Sequence, residues 1–414
     1  MKIAQTSVNT SIQTDGNVRT LEIAMFLVLL ASYVINAMDR QIFPLVAADV
    51  RREYGFALGE TGLLSTIFTM GMALAGLPTA YLLARCSRKA VLQIGIAIFS
   101  TGTLLTAYSF GFADMMLYRA TTGVGEAMQL TVLIAIAGNY FFRYRATAIG
   151  AINFSFGLGA IVGPTLGGYL LGAERLWRVP LVWFGLIGFI SMAIIALMVS
   201  RRLTEATASV QAQGNSDGAA NLMNRNTIIL TVMSMIGGMV IYGYLGMYPT
   251  YLREQLHFAP TTTGGVMSMY GLGVFASIFG GWLGDRLPPR LLLVTTFLST
   301  AALGVLLFLG STNVVFHSTL SFAWGFIASG ILYVNLAGYH VKAVRAGLTG
   351  KATGLFVTSL YAAGAVAGYV IGSLAAKVGW SAAGIMQITS LAIVGALLAV
   401  GLQPERMAGF SRKS

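Results

Sequence analysis

The chain has 414 residues, of which 56% are hydrophobic and only 10% charged, with a mean hydropathy of +0.76. Soluble domains carry roughly 25% charged residues, so this composition is that of an integral membrane protein and excludes a soluble globular fold. The formal charge of +12 does not mark a nucleic-acid surface, because the basic residues punctuate short connections between apolar runs instead of clustering on one face.

Residues 1–20 are polar, and no small-residue cleavage site follows the first apolar run, so they are expected to form a tail before a retained helix, not a signal peptide. A helix needs about 20 apolar residues to cross a hydrocarbon core of about 30 Å. The segments that qualify are 21–45, 58–83, 90–110, 112–140, 146–171, 179–200, 227–252, 260–284, 291–311, 316–341, 350–377 and 380–402, twelve spans in all. Residues 201–226 are polar and rich in small side chains, and are expected to be a flexible linker between two six-helix halves, 21–200 and 227–403, with a second tail at 404–414. If both termini and the even-numbered connections share one side, the other side keeps only Arg51, Arg52, Arg175, Arg178, Arg253 and Lys377. The positive-inside rule then places both termini in the cytoplasm, and the membrane would be the inner one in a bacterium. The only cysteine, Cys86, lies in a basic connection and excludes an intramolecular disulfide or a Cys-based metal site.

The halves echo each other. LLARCSRK at 82–89 follows the second segment and WLGDRLPPR at 282–290 follows the eighth; Arg145-Ala146-Thr147 opens the fifth and Lys351-Ala352-Thr353 the eleventh. Repeats of this kind suit a transporter that rocks one half against the other around a midplane site.

Charges inside the apolar segments are the functional candidates. One ionised side chain at a bilayer centre costs roughly 2.5–3.5 kcal/mol on insertion scales. Arg119 and Glu126 are seven residues apart on the fourth segment, two helical turns, and so share a face. The first segment supplies Asp39 and Arg40. With its end near Leu45, Asp39 is placed roughly 9 Å from the outer end, level with Arg119 at roughly 10 Å, and Glu126 about 10 Å deeper. These four are expected to face a central cavity. Desolvation favours a neutral acid and a nearby arginine favours the carboxylate, so an anion that occupies the arginine would let the acid take up a proton. A static ion pair holding the two helices is the alternative.

Asn36 and Gln129 lie on the same faces, and Asn153 is a polar neighbour in the fifth segment. In the second half the candidates are Tyr242, Tyr244, Tyr248, Tyr333, Asn335, Thr358 and Tyr361, with Asn335 and Tyr361 preferred; Tyr248 and Tyr251 also suit interfacial anchors. His257, His317 and His340 are read as interfacial. No histidine pair has metal-ligand spacing, no glycine-rich loop follows a strand, and no nucleophile lies beside a base, so neither metal, nucleotide nor enzymatic chemistry is supported. Energy is expected from an ion gradient.

Three motifs give the chain a resemblance to the major facilitator superfamily over essentially its full length. The loop signature G-x-x-x-D-R-x-x-R-[RK] has its core as Gly284, Asp285 and Arg286, with Arg290. After the second segment Ala84 stands where the family has Asp, while Arg85, Arg88 and Lys89 remain. The fourth segment carries R-x-x-x-G-x-G as Arg119, Gly123 and Gly125. The fifth carries G-x-x-x-G-P-x-x-G-G as Gly159, Gly163, Pro164, Gly167 and Gly168, which is associated with antiporters and is equally a close-packing pattern with a proline kink. The charges are similar to those of the anion:cation symporter family and its neighbour, the Spinster family. The resemblance implies an all-α fold of twelve transmembrane helices and proton-coupled uptake of a small organic anion by a monomer. It also implies that Asp39 and Glu126 carry protons and that Arg40 and Arg119 hold the anion. The rivals are a proton-driven exporter of drugs or lipids and, remotely, a solute sensor, for which the chain has no appended signalling domain.

Overall fold

The computed structural model describes residues 12–13, 20–141, 144–207, 218–309 and 311–409. The first half contains α1 (Thr20–Tyr54), α2 (Leu58–Thr66, Phe68–Leu74 and Gly76–Leu83), α3 (Arg88–Ala107), α4 (Phe112–Tyr140), α5 (Arg145–Glu174) and α6 (Arg178–Met198). The second contains α7 (Arg225–Glu254), α8 (Pro260–Val274 and Ser277–Arg286), α9 (Pro289–Leu307), α10 (Val314–Lys342), α11 (Thr349–Val378) and α12 (Trp380–Val400). Eleven of these are long and apolar enough to cross a membrane. The twelfth, α2, is subdivided but keeps right-handed helical dihedrals at Ile67 (φ −60, ψ −24) and Ala75 (φ −62, ψ −20). Its second break has a plain cause, since Pro78 offers no N–H to the Leu74 carbonyl.

The repeat is visible in packing. In the first half Gly71 of α2 sits against the Ala120 carbonyl of α4 and Gly123 against Phe68; in the second half Gly273 sits against Phe322 and Gly325 against Tyr270. Both glycine pairs are displaced by the same 202 residues, and neither contact leaves room for a Cβ. Arg85 stacks over Tyr81 at 3.8 Å, and Arg286 stacks over Trp282 at 4.4 Å in the equivalent turn.

Three expectations about the helix ends need correction. The first helix runs to Tyr54, not to about Leu45. Its last turns carry charge because that charge is paired: Arg51 with Glu254 at 3.0 Å, Asp49 with Arg253 at 2.8 Å, and Glu53 with Arg178 at 2.6 Å. Tyr248, Tyr251 and His317 are buried, not interfacial, in a stack with Phe308 and Trp324; Tyr248 and His317 share a hydrogen bond of 2.6 Å. His340 is also buried, whereas His257 is exposed.

The described flanks of the linker carry regular structure. Its 208–217 stretch and most of the 1–20 tail lie outside the described residues, but Arg201–Thr204 form a helical turn and Ile12–Gln13 pair with Ala206–Thr207. Glu205 accepts from the backbone N–H groups of Arg88 and Lys89, both at 3.0 Å, so a carboxylate caps the N-terminus of α3. The Arg88 guanidinium donates to the Ala206 carbonyl and the Lys89 ammonium to the Val199 carbonyl, both at 2.5 Å. In the second half Asp285 pairs with Lys342 at 2.8 Å and Arg290 donates to the Leu402 carbonyl at 2.6 Å.

With an even number of crossings, the start of α1, the end of α12 and the α6–α7 flanks lie on one face, here called the terminal face, and the α1–α2 and α7–α8 connections lie on the distal face. The halves meet toward the distal face. There the Arg51–Glu254 and Asp49–Arg253 pairs cross between halves, Gly62 of α2 touches Gly368 of α11, and Gly168 of α5 touches Gly264 of α8. Thr66 of α2 donates to the Ala365 carbonyl of α11 at 2.8 Å. The distal side is closed.

Candidate functional site

Between the halves lies a cavity of about 290 Å³ lined by α1, α2, α4, α5, α7, α8, α10 and α11. Its wall includes Gln41 and Pro44 near the middle of α1, and Leu130, Ile134, Asn153, Ser277, Val334 and Ala337, which lie nearer the terminal face. The lining is chiefly apolar and aromatic, and among the described residues Arg40 is its one charged side chain. The aromatic wall comes from both halves: Tyr33, Phe68 and Phe156 from the first, Tyr242, Tyr270, Tyr333 and Tyr361 from the second. Tyr333 and Tyr361 bring their hydroxyls to 3.3 Å, Tyr270 bonds Ser329 at 2.9 Å, and the Tyr242 ring lies 5.9 Å from that of Tyr361. Ser329 and Tyr333 belong to a stretch of α10, Gly325–Tyr333, wound in wider π-helical turns, a form often found at functional sites.

Arg40 sits between the rings of Phe156 (5.8 Å) and Tyr33 (6.0 Å). Its Nε lies 3.1 Å from Glu126 Oε2 and donates to Asn36 Oδ1 at 3.1 Å, while Nη2 has no hydrogen-bond partner. Because the residue after Asp39 reaches Glu126, the acid of α1 is level with that of α4. The expected depths were wrong for a simple reason: with α1 ending at Tyr54, Asp39 lies about 22 Å from the helix end at 1.5 Å per residue, not roughly 9 Å.

Behind Arg40 the rest of the quartet is sealed. Asp39, Arg119 and Glu126 are each 0% exposed and none lines the cavity, so the expectation that all four face it is corrected. Asp39 takes the hydroxyl of Thr103 on both oxygens, at 2.9 and 2.8 Å. The Asp39 and Glu126 carboxyls also interact electrostatically. Arg119 interacts electrostatically with both acids, is flanked by the rings of Phe43 (4.8 Å) and Phe68 (5.3 Å), and keeps Nη1 and Nη2 unpartnered. The glycines after Arg119 explain the tight seal, since Gly123 admits the α2 backbone at Phe68 and Gly125 admits α3 at Gly95 and Phe99.

Of the remaining candidates, Asn153, Tyr242 and Tyr361 line the cavity. Asn36 and Gln129 do not; they bond each other at 2.8 Å inside the wall. Asn335, one of the two preferred residues, is corrected as well. Its amide donates to the carbonyls of Gly280 (2.8 Å) and Ile331 (2.9 Å), which ties α10 to α8 across Gly284. Tyr244 and Tyr248 belong to the buried stack, and Thr358 is exposed. The glycines of α5 act in packing: Gly159 and Gly163 receive the α1 backbone near Val34 and Met38, Gly167 meets Ile42, and Gly168 meets Pro260 beside Pro164. Sequence reasoning missed Thr103, one of several hydroxyls in α3 with nothing to single it out, and Tyr33, which its spacing of seven from Arg40 could have flagged.

The chain is similar to the 3-(3-hydroxy-phenyl)propionate transporter of Escherichia coli K12, 26% identical over 378 residues, covering 89% of this chain and 90% of that protein. It is also similar to the cis,cis-muconate transport protein of Acinetobacter baylyi, 24% identical over 344 residues, 80% and 82% of the two chains. Among solved structures, a bacterial homologue of the human lysosomal transporter Spinster, in an inward-facing and occupied conformation, superposes with a TM-score of 0.71 at 17% identity, over 93% of this chain and 96% of that one. The profile of the Major Facilitator Superfamily matches residues 29–368, most of both halves. By that match, its twelve-helix fold and its two repeated halves, the chain belongs to the Major Facilitator Superfamily.

Proposed function

We propose that the protein takes up a small organic monocarboxylate together with a proton, by alternating access, as a monomer with both termini in the cytoplasm. The observation that carries this reading is Arg40: among the described residues it is the one cation on an otherwise uncharged cavity wall, and it is backed by two buried acids. A guanidinium on the cavity wall is a seat for a carboxylate, which matches its planar donor fork. The four buried charges sum to zero, so an arriving monoanion leaves the site at minus one unless a proton accompanies it. Asp39 and Glu126, both buried behind Arg40, are the pair to carry it. Aromatic walls on both sides suit a planar or unsaturated acid better than a polyhydroxylated one, which would need more hydrogen-bonding partners. The named cargoes of two relatives, an arylpropionate and a muconate, are unsaturated acids, the second with two carboxylates. The driving force is the proton gradient, with no cofactor.

A thermal-shift screen of carboxylates on the purified protein tests this. A stabilising aromatic or unsaturated acid, with the shift lost in Arg40→Gln, is the expected result. Stabilisation that survives Arg40→Gln would remove the anion seat.

The aromatic wall also favours a second reading, proton-driven export of an amphipathic drug or lipid. Hypersensitivity of a deletion strain to lipophilic cations, with no defect in growth on organic acids, would select it.

A further inference from the structure

Inside the wall behind Arg40 the donors and acceptors can be ordered in only one way. Ser32 gives its hydroxyl proton to the Leu29 carbonyl at 2.7 Å, so toward Gln129 it can only accept, and Gln129 Nε2 donates to it at 3.0 Å. That turns Gln129 Oε1 toward Asn36, whose Nδ2 donates to it at 2.8 Å and to the Glu126 carbonyl at 3.3 Å. Asn36 Oδ1 is then left facing Arg40 Nε at 3.1 Å. Each amide could be flipped in isolation, but here a flip would set N–H against N–H at one end and oxygen against oxygen at the other. Ser32, Asn36 and Gln129 are all buried, so no solvent rescues a wrong orientation.

Arg40 has a competing arrangement close at hand. Glu126 Oε2 is 3.1 Å from Arg40 Nε, and neither Glu126 oxygen has a hydrogen-bond partner. A guanidinium free to turn would pair with such a carboxylate through two nitrogens and be drawn away from the cavity wall that Arg40 lines.

We propose that Ser32, Gln129 and Asn36 are positioning residues that hold Arg40 by its Nε edge, prevent its collapse onto Glu126 and so keep the carboxylate seat open. The inference rests on the reading of Arg40 as the anion seat and says what maintains it. Three residues that contact no solute thereby set the affinity for one.

The test is counterflow exchange of radiolabelled 3-phenylpropionate in proteoliposomes holding the full chain. Asn36→Leu is expected to raise KM at least about tenfold with Vmax within about threefold, and Gln129→Leu to raise it about three- to tenfold, the effect of losing a hydrogen bond to a charged group or to its support. The exchanged pair Asn36→Gln with Gln129→Asn keeps the summed side-chain length and is expected to bring KM to within about threefold of wild type. A purely structural role would lower Vmax through loss of active protein and leave KM in place, and that outcome overturns the proposal. If Asn36→Leu does not fold, Ser32→Ala, which removes only the acceptor for Gln129, is read by the same split. Failure of the underlying reading looks different: wild type then shows no exchange, or exchange indifferent to Arg40→Gln, before any relay variant is made, and the proposal falls with it.

Discussion

Glu126→Gln tests the coupling most sharply, because it makes permanent the charge state that a proton makes transient. In wild type Asp39 and Glu126 balance Arg40 and Arg119, and Glu126 Oε2 lies 3.1 Å from Arg40 Nε. An anion that docks on Arg40 meets this carboxylate as a rival. One unit charge at about 4 Å, at an effective dielectric of about 20, is worth about 4 kcal/mol, or roughly a thousandfold in affinity. On the proposed mechanism wild type removes the penalty by taking up one proton, so binding of the anion is expected to consume a proton and to weaken as pH rises. The limit is about tenfold per pH unit once the site has lost its proton. The variant lacks the rival charge at every pH. Its binding of 3-phenylpropionate, followed calorimetrically between about pH 6 and 8.5, is therefore expected to be flat, and tighter than wild type at the alkaline end by at least about tenfold. In proteoliposomes it should still exchange labelled for unlabelled anion, yet fail to accumulate it down a proton gradient. A variant that still accumulates anion with a pH gradient, or that retains the wild-type pH dependence of binding, would refute the charge-balance argument.

Two further substitutions probe the closed distal side and the reassigned asparagine. A Cβ at Gly62 would run into the Gly368 carbonyl, so Gly62→Val should cost the distal-closed state about 1–3 kcal/mol of overpacking. Labelling of a cysteine placed at Ser65, in a Cys86→Ser background, should then rise from the distal face and fall from the terminal face; unchanged labelling would contradict the contact. Asn335→Leu leaves the Gly280 and Ile331 carbonyls without their donor and should cost about 1–3 kcal/mol of stability, seen as a lower Tm, with KM unmoved. A raised KM at unchanged Tm would return Asn335 to the solute site.

What could be read from the sequence follows from which physical signals are local. Twelve apolar runs of sufficient length are legible because hydrocarbon thickness sets their length, and the charges within them stand out because each is costly there. The end of α1 was not legible: Asp49, Arg51 and Glu53 look like a loop until Arg253, Glu254 and Arg178 are seen to pair with them across long sequence separations. Helix rotation was equally hidden. Asp39 and Arg40 are adjacent, yet one turns to Thr103 inside the first half and the other to the cavity, and only packing against α3 and α4 decides which. Polarity alone could not separate Asn153, which meets the cavity, from Asn335, which ties two helices together. The buried His317 was misread because its partner, Tyr248, lies 69 residues away on another helix.

On the proposed mechanism, a carboxylate seated on Arg40 and a proton held by the buried acids move together. The direct measurement is uptake of 3-phenylpropionate into proteoliposomes holding an internal pH dye, with membrane potential clamped at zero and an inward proton gradient imposed. Concentrative uptake with lumenal acidification of about one proton per anion beyond the passive leak is expected from the charge balance of the buried quartet, with loss of both in Arg40→Gln. Uptake without proton entry, or proton entry that ignores the anion, would contradict that mechanism.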